Sequence, residues 1–278
     1  MNKTNNFPVI EMFHSIQGEG KYMGVPSFFV RVTGCNLRCV FRDSICDTPY
    51  SSFDPEKSLY PDRKTTVAEF RKLLDKYPNT THIVITGGEP MLYQEGMFDF
   101  LYDSTVGYNS DDNYKVTIET NGTISPEIIN NMYLDMVNNM AVIANFRFEL
   151  ISISPKLVTS EDNRGVLSKE AATRHKKLRL NIPVLREYYQ SYNVFKGIQY
   201  KFVYSGDESV EEIHKILDKI AFKDDKSEIN DKVYLMPEGT TINQVNDNTK
   251  DCVECCIKNG WNFAPRLHIL IWGDKRGV

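Results

Sequence analysis

The same order of elements recurs along most of this chain. A short run rich in β-branched and aromatic residues ends in a polar turn, and an amphipathic stretch follows it. Beyond residue 80, the runs with strand character are residues 82–86, 116–119, 148–153, 197–204 and 233–236. Alternating strands and helices are typical of βαβ units around a parallel sheet. We therefore expect an α/β fold in which the residues that follow the strands gather at one edge of the sheet.

The remaining elements extend this pattern to both ends of the chain. Strands are predicted at residues 9–13 and 27–32, and a last strand at 267–272. The predicted helices, the first of them capped by Thr66, are residues 66–77, 98–104, 124–138, 209–221 and 243–259. Residues 159–191 are polar and poorly periodic, with one candidate helix at 171–180. We interpret them as an insertion in a single domain of residues 1–278.

Composition excludes several classes of protein. A net charge of −4 gives no reason to expect nucleic acid as a partner. No apolar run approaches the roughly 20 residues of a membrane span, and the first residues lack the apolar core of a signal peptide. Six cysteines among 278 residues do not suggest a disulfide scaffold. The expected location is therefore the reducing cytoplasm.

Three of the six cysteines, Cys35, Cys39 and Cys46, lie close together in the segment GCNLRCVFRDSIC. Gly34 and Asn36 suit a tight loop, whose N–H groups can donate to sulfur. Structural zinc uses four ligands, but no fourth Cys or His follows before His82. A [4Fe–4S] cluster with one open iron fits three cysteines better. The alternative is three unrelated thiols in a reduced protein.

The other three cysteines form a second group, Cys252, Cys255 and Cys256. Their C-x2-C-C spacing suggests a second metal site, but no companion pair of ligands accompanies it. The helical pattern around them favours cysteines on an ordinary helix.

Polar residues in apolar or Gly-rich surroundings are candidates for a small-molecule site. Gln17 and Glu19 lie in a Gly-rich loop, where donors and acceptors together suit a heterocycle; the alternative is a solvated turn. Arg31 interrupts the apolar run SFFVRV, and its planar fork suits a carboxylate, with a structural salt bridge as the alternative. Asp47 and Thr48 offer oxygen ligands for Mg²⁺, unless Thr48 is simply a cap.

The segment GCNLRC resembles the cluster loop of radical S-adenosylmethionine (SAM) enzymes. Their usual spacing is C-x3-C-x2-C, whereas this chain has C-x3-C-x6-C. Without residues 42–45 the segment would read CNLRCVFCDT, which resembles the 7-carboxy-7-deazaguanine synthases. Further motifs agree in order along the chain: IQGEG, FVRVTGCNLRC, TGGEP, ETNGT, SPK, MPEG and RLH. We expect the four inserted residues to bulge away from the cluster and to be dispensable.

The resemblance implies a partial (β/α)6-type barrel, modified from the usual radical SAM core, in a homodimer. It implies that Cys35, Cys39 and Cys46 hold a [4Fe–4S] cluster whose free iron binds SAM, and that a flavodoxin-type protein supplies electrons. In the reaction that the resemblance implies, the resulting 5′-deoxyadenosyl radical takes hydrogen from C6 of 6-carboxy-5,6,7,8-tetrahydropterin. Ring contraction and loss of ammonia then give 7-carboxy-7-deazaguanine. The resemblance also implies Mg²⁺ at Thr48.

The resemblance also assigns roles to individual residues. Those implied for SAM are Gly88, Glu89, Ser154, Pro155, Lys156, Met236, Pro237 and Glu238. Those implied for the pterin are Ile16, Gln17, Gly18, Glu19, Arg31, Thr86, His268 and the carboxylate of Val278. Two other functions stay open: an activase of glycyl-radical enzymes, and a non-catalytic iron–sulfur module that contacts proteins.

Overall fold

The computed structural model of the protein describes residues 7–42, 44–108, 114–138, 145–191, 194–221 and 226–278. Its centre is one eight-stranded sheet in which the strands follow one another in chain order. They are β1 Val9–Ile16, β2 Pro26–Val32, β3 His82–Gly87, β4 Tyr114–Thr120, β5 Phe146–Ile153, β6 Ile198–Tyr204, β7 Val233–Pro237 and β8 Asn262–Phe263. β1 pairs antiparallel with β2, and every later pair is parallel.

Helices connect these strands and cover one face of the sheet. They are α1 Pro49–Ser52, α2 Arg63–Lys76, α3 Gln94–Thr105, α4 Glu127–Asn138, α5 Lys169–Leu178, α6 Ile182–Gln190, α7 Asp207–Ile220, α8 Lys226–Asn230, α9 Ile242–Asn259 and α10 Leu267–Trp272. Because each crossover advances by one strand, the carboxyl ends of β2 to β8 share one edge of an open, barrel-like sheet. The expected partial α/β barrel is confirmed. Among the described residues, no helix is both long and apolar enough to cross a membrane.

The core explains why the strands read as continuous apolar runs. Ile83, Val84 and Ile85 of β3 are all fully buried, which requires cover on both faces of the sheet. On the helical side, Phe70 of α2 lies between Phe28 of β2 and Phe100 of α3, with ring centroids 5.9 and 5.2 Å away. These aromatic contacts fix α2 against the sheet and α3 against α2.

Two local predictions are wrong. Residues 267–272 form helix α10 and not a strand; the amide groups of Ile269 and Leu270 both bond to the carbonyl of Arg266, which closes a helical turn. A six-residue apolar run is too short to show its period. The cap of α2 is Asp62, whose side chain accepts from the amide of Thr65. Thr66 lies inside the helix and donates to the carbonyl of Asp62.

The poorly periodic residues 159–191 form α5 and α6 between β5 and β6. α6 buries Val184, Leu185 and Tyr188 in the common core. α5 buries only His175, which explains its weak apolar signal. That these residues are an insertion in a single domain stays a prediction. The other predicted strands and helices are present, with bounds shifted by a few residues.

Candidate active site

Two adjoining cavities lie at the carboxyl edge of the sheet. The cluster chamber, of about 160 Å³, is lined by the three clustered cysteines and by Gly88, Ser154, Lys156, Met236 and Glu238. The tail chamber, of about 420 Å³, is lined by Ile16, Gln17, Gly18, Arg31, Thr48, His268 and the tail segment 273–278. Six residues line both chambers: Glu19, Asp47, Thr86, Glu119, Thr240 and Arg266. We call these six the shared wall.

The cluster loop is held by backbone contacts. Gly34 adopts φ +89°, a left-handed conformation that suits glycine, and its amide donates to the carbonyl of Ser51 at 2.8 Å. The amide of Leu37 donates to the sulfur of Cys35 at 3.4 Å. The amide of Cys46 donates to the carbonyl of Cys39 at 3.0 Å. This last bond places the second and third cysteines side by side despite the long spacing between them.

The additional residues of this loop close a small hairpin. Val40 and Ile45 form an antiparallel bridge, and the amide of Phe41 donates to the carbonyl of Ser44 at 2.8 Å. Arg42 is exposed and contacts Asn248 at 3.4 Å. Ser44 and Ile45, however, line the cluster chamber. The expectation that the whole insertion bulges away is therefore wrong for its second half. Asp43 lies outside the described residues.

The three thiols suit a cluster better than a single ion. Among the described residues, no three His, Cys, Asp or Glu side chains converge tightly enough to hold one metal ion. A [4Fe–4S] cluster places each cysteine on a different iron and needs no such convergence. Burial raises the pKa of the Cys35 thiol to about 11 and also raises the pKa of Cys39 and Cys46. Binding iron would therefore displace protons from these thiols.

The TGGEP segment packs directly on the cluster loop. The amide of Glu89 donates to the carbonyl of Gly34 at 2.8 Å, and a Cβ on Gly88 would lie 2.0 Å from that same oxygen. The carboxylate of Glu89 is fully buried and accepts from Met91, Thr120 and Asn121. Glu89 does not line either chamber, so in this conformation it holds the end of β4. Its predicted contact with the amino group of SAM stays a prediction.

Of the other residues predicted to bind SAM, four line the cluster chamber and two do not. Ser154 and Lys156 line the cluster chamber and contact each other, with Nζ donating to Oγ at 2.8 Å. Met236 and Glu238 line the same chamber from the end of β7. The two prolines, Pro155 and Pro237, are not among the lining residues of either described cavity.

Ion pairs join the residues of the shared wall to one another and to Lys201. Glu19 pairs with Lys201 at 2.5 Å and with Arg266 at 3.1 Å. Arg266 also pairs with Asp47 at 2.6 Å, and Lys201 approaches Glu119 at 3.5 Å. Burial alone would raise the pKa of Glu19, but the two cations outweigh it and lower that pKa. For Asp47, Arg266 likewise overcomes the effect of burial and lowers the pKa to about 2.

Glu119 brings together two residues that the sequence predicted for substrate. The hydroxyl of Thr86 donates to it at 2.8 Å, and the amide of Gln17 donates at 3.3 Å. Sequence reasoning missed Glu119, Lys201 and Arg266 as site residues. For Lys201 the sequence did offer a signal. Lys201 interrupts a buried apolar strand, as Arg31 does, and a charge in such a position needs a partner.

Arg31 borders the tail chamber, but part of its guanidinium is already engaged. Nε donates to Glu11 at 2.6 Å, so the structural salt bridge exists beside any role in binding. Arg276 of the tail pairs with the same Glu11 at 2.7 Å and stacks on Tyr50 at 3.8 Å. The tail therefore folds back over the chamber, and Val278 lines it.

Two further predicted residues lie where the Gly-rich loop meets the tail chamber. His268 packs against Gly18, where a Cβ would lie 2.2 Å from Nδ1 of the ring. Burial lowers the pKa of His268. The hydroxyl of Thr48 donates to Asp47 at 2.8 Å and does not cap α1, so the capping alternative is wrong for its side chain.

Comparison with known proteins agrees with this arrangement. The sequence profile of the Radical SAM superfamily matches residues 29–138. Proteins named 7-carboxy-7-deazaguanine synthase from Halobacterium salinarum and Rhodopirellula baltica are each 31% identical to this chain; the matches cover 96% and 97% of this chain, and 91% and 88% of theirs. The crystal structure of QueE from Escherichia coli shares the fold, with a TM-score of 0.52, 20% identity and 94% of both chains covered. This chain therefore belongs to the 7-carboxy-7-deazaguanine synthase family of radical SAM enzymes.

Proposed function

We propose that this protein converts 6-carboxy-5,6,7,8-tetrahydropterin to 7-carboxy-7-deazaguanine with loss of ammonia. The observation that carries the proposal is the pair of adjoining chambers. One is lined by three cysteines, the other by an arginine and by mixed donors and acceptors, and the two have a wall in common. A cofactor and a small heterocyclic substrate can thus lie next to each other, as a reaction between them requires. The two alternative functions, an activase and a non-catalytic iron–sulfur module, are not favoured. The relatives that match over nearly the whole chain are named as synthases.

The cluster chamber would bind the cofactors. Cys35, Cys39 and Cys46 would hold the [4Fe–4S] cluster, and Gly88, Ser154, Lys156, Met236 and Glu238 would border SAM, with Glu89, Pro155 and Pro237 supporting them. When reduced, the cluster with SAM supplies a carbon radical that can abstract hydrogen from the substrate. The role of the protein is to hold these groups and to exclude water from them. It does so through buried backbone contacts and closely packed glycines.

The tail chamber would bind the pterin. Arg31 would pair with the substrate carboxylate, because a guanidinium offers several donors and the ion pair with Glu11 is made by Nε. Gln17, Thr86 and Glu119 offer donors and an acceptor for the edge of a heterocycle. Ile16, Gly18, Glu19, His268 and Val278 complete the surroundings of the substrate. The ion pairs of Glu19 keep it ionised and fixed in the shared wall.

Four further parts of the proposal concern a metal, an electron donor, the oligomeric state and the location of the protein. Mg²⁺ would bind at Thr48, where the neighbouring Asp47 supplies a second oxygen ligand that faces the tail chamber. A flavodoxin-type protein would deliver electrons, and the chain would act as a homodimer in the cytoplasm. All six cysteines are free thiols, which fits a reducing compartment.

The test is anaerobic reconstitution with iron and sulfide, followed by reduction and addition of SAM with or without the pterin. We expect 7-carboxy-7-deazaguanine and ammonia only when SAM and pterin are both present. Cleavage of SAM without any product from the pterin would contradict the proposed substrate. Comparing samples with and without Mg²⁺, after treatment with a chelator, tests the metal separately.

A further inference from the structure

Two residues between β5 and α6, Ser160 and His175, contact the cluster loop on the two sides of Cys39. The amide of Val40 donates to the carbonyl of Ser160 at 2.9 Å. The amide of Arg38 donates to Nδ1 of His175 at 3.2 Å. Ser160 is fully buried and His175 is 1% exposed, so neither contact competes with solvent. The backbone on either side of the second cysteine is therefore fixed by a region that has no role in the chemistry assigned above.

The hydrogen bonds of His175 specify a single protonation state. The hydroxyl of Ser160 donates to the carbonyl of Leu157 at 2.6 Å, so its oxygen is left to accept from Nε2 of His175 at 3.1 Å. Nε2 then carries the hydrogen, and Nδ1 is the acceptor that the amide of Arg38 requires. Burial, with help from Arg179, lowers the pKa of His175 to about 4, which agrees with a neutral ring.

The helix that carries His175 is itself anchored. Ser168 caps α5 by accepting from the amide of Ala171 at 3.2 Å. One turn after His175, Arg179 pairs with Glu161 at 2.7 Å and donates to the carbonyl of Lys156 at 2.9 Å. The same short region thus contacts both the cluster loop and the segment that lines the SAM side of the chamber. The imidazole is consequently a fixed acceptor rather than a mobile side chain.

We propose that His175 is a positioning residue for the iron–sulfur cluster, acting through the backbone next to Cys39. By accepting from Arg38, it fixes the loop conformation that presents Cys39 beside Cys46. It also turns the Arg38 amide away from the chamber, so that this N–H does not donate to cluster sulfur. Hydrogen bonds to sulfur favour the reduced, more negative cluster and raise its potential. His175 therefore both retains the cluster and keeps its potential low.

A pair of amide substitutions separates this role from simple packing. The Oδ1 of an asparagine can take the place of Nδ1 and accept from Arg38, whereas glutamine places its amide near the position of Nε2. We therefore compare His175→Asn, His175→Gln and His175→Leu with the wild type. Lys177→Gln is the control, since Lys177 is an exposed residue of the same helix. For each protein we measure four quantities: the iron content, the rate of iron release to a chelator, the midpoint potential of the cluster and the melting temperature of the apo protein.

We expect His175→Gln and His175→Leu to release iron at least threefold faster and to show a higher midpoint potential. His175→Asn and Lys177→Gln should match the wild type. Equal release rates and potentials for the Asn and Gln variants would overturn the proposal, as would a Leu variant with unchanged values. If His175→Leu does not fold, the Asn and Gln pair still decides. The proposal rests on the cluster assignment but not on the pterin: a wild type that takes up no cluster would overturn both, whatever the substrate.

Discussion

The cluster chamber and the tail chamber have a common wall, yet they are built in different ways. The cluster chamber depends on backbone contacts: glycines that permit close backbone approach, and amide groups that fix Gly34, Cys46 and Glu89. The tail chamber depends on ion pairs between distant parts of the chain, such as Arg266 with Asp47 and Arg276 with Glu11. Backbone contacts do not depend on the identity of one side chain, whereas an ion pair is lost when either of its charged side chains is replaced. Substitutions should therefore affect the two chambers in different ways.

The largest effect is expected in the cluster chamber. Cys46→Ala should lose the absorbance of the [4Fe–4S] cluster after anaerobic reconstitution, and with it all cleavage of SAM. The physical reason is that three thiolates must hold three of the irons, and no other thiol in the described structure lines the chamber. The measurement is iron and sulfide content together with the visible spectrum.

The matched control uses the second cysteine group. Cys252 and Cys256 are buried on α9, and Cys255 contacts Asn259 of the same helix. Cys255→Ala should keep a full cluster and normal cleavage of SAM. A four-iron cluster in Cys46→Ala, or its loss in Cys255→Ala, would show that the ligands are assigned to the wrong group.

The next effect concerns the tail chamber. Arg31→Lys keeps the positive charge beside Glu11 but loses the planar fork, so pterin binding should weaken by about 1–3 kcal/mol. Cluster content and the cleavage of SAM without pterin should not change, because Arg31 does not line the cluster chamber. Titration of the pterin at fixed SAM measures the change.

A surface arginine serves as the control for this variant. Arg63 pairs with Asp103 at 2.9 Å on the surface, and Arg63→Lys should leave both properties as they are. Unchanged pterin affinity in Arg31→Lys would mean that Arg31 has only its structural salt bridge. A parallel loss of cluster would mean that the two chambers are not separable.

This difference in construction also explains what could be predicted from the sequence. The cluster loop and TGGEP are continuous segments, so the spacing of their residues could be interpreted directly. Asp47, one of the two partners of Arg266, is 219 residues away from it, and no local pattern identifies the pair. His175 is a lone histidine in a polar helix, and only the fold brings it to the amide of Arg38. The strand order followed from the alternation of elements, but helix α10 was too short for its period to be recognised.

A smaller effect should come from the shared wall at low pH. The pKa of Asp47 is lowered to about 2 in the folded protein, so its ion pair contributes stability above the ordinary pKa of 3.8. That contribution is lost as the pH falls from about 4 through about 2. It should amount to roughly 1 kcal/mol or less, because half of the carboxylate is exposed to the cavity. The free energy of unfolding in urea should therefore fall less steeply over this range in Asp47→Asn. Identical slopes for both proteins would exclude a stabilising pair.

The smallest effect should distinguish the two halves of the inserted residues. Arg42 is exposed, and its contact with Asn248 is long at 3.4 Å, so Arg42→Ala should change the cleavage of SAM less than twofold. Ile45 lines the cluster chamber, and Ile45→Ala removes apolar surface worth about 1 kcal/mol of SAM affinity. Both variants should retain the cluster, because the amide of Cys46 still bonds to Cys39. SAM titration of the reconstituted proteins measures the difference. A larger loss for Arg42→Ala than for Ile45→Ala would place the exposed half of the hairpin in the active arrangement. If the expected order of effects holds, a protein without residues 42–45 should keep the cluster. It should bind SAM more weakly, because Ser44 and Ile45 no longer line the cluster chamber.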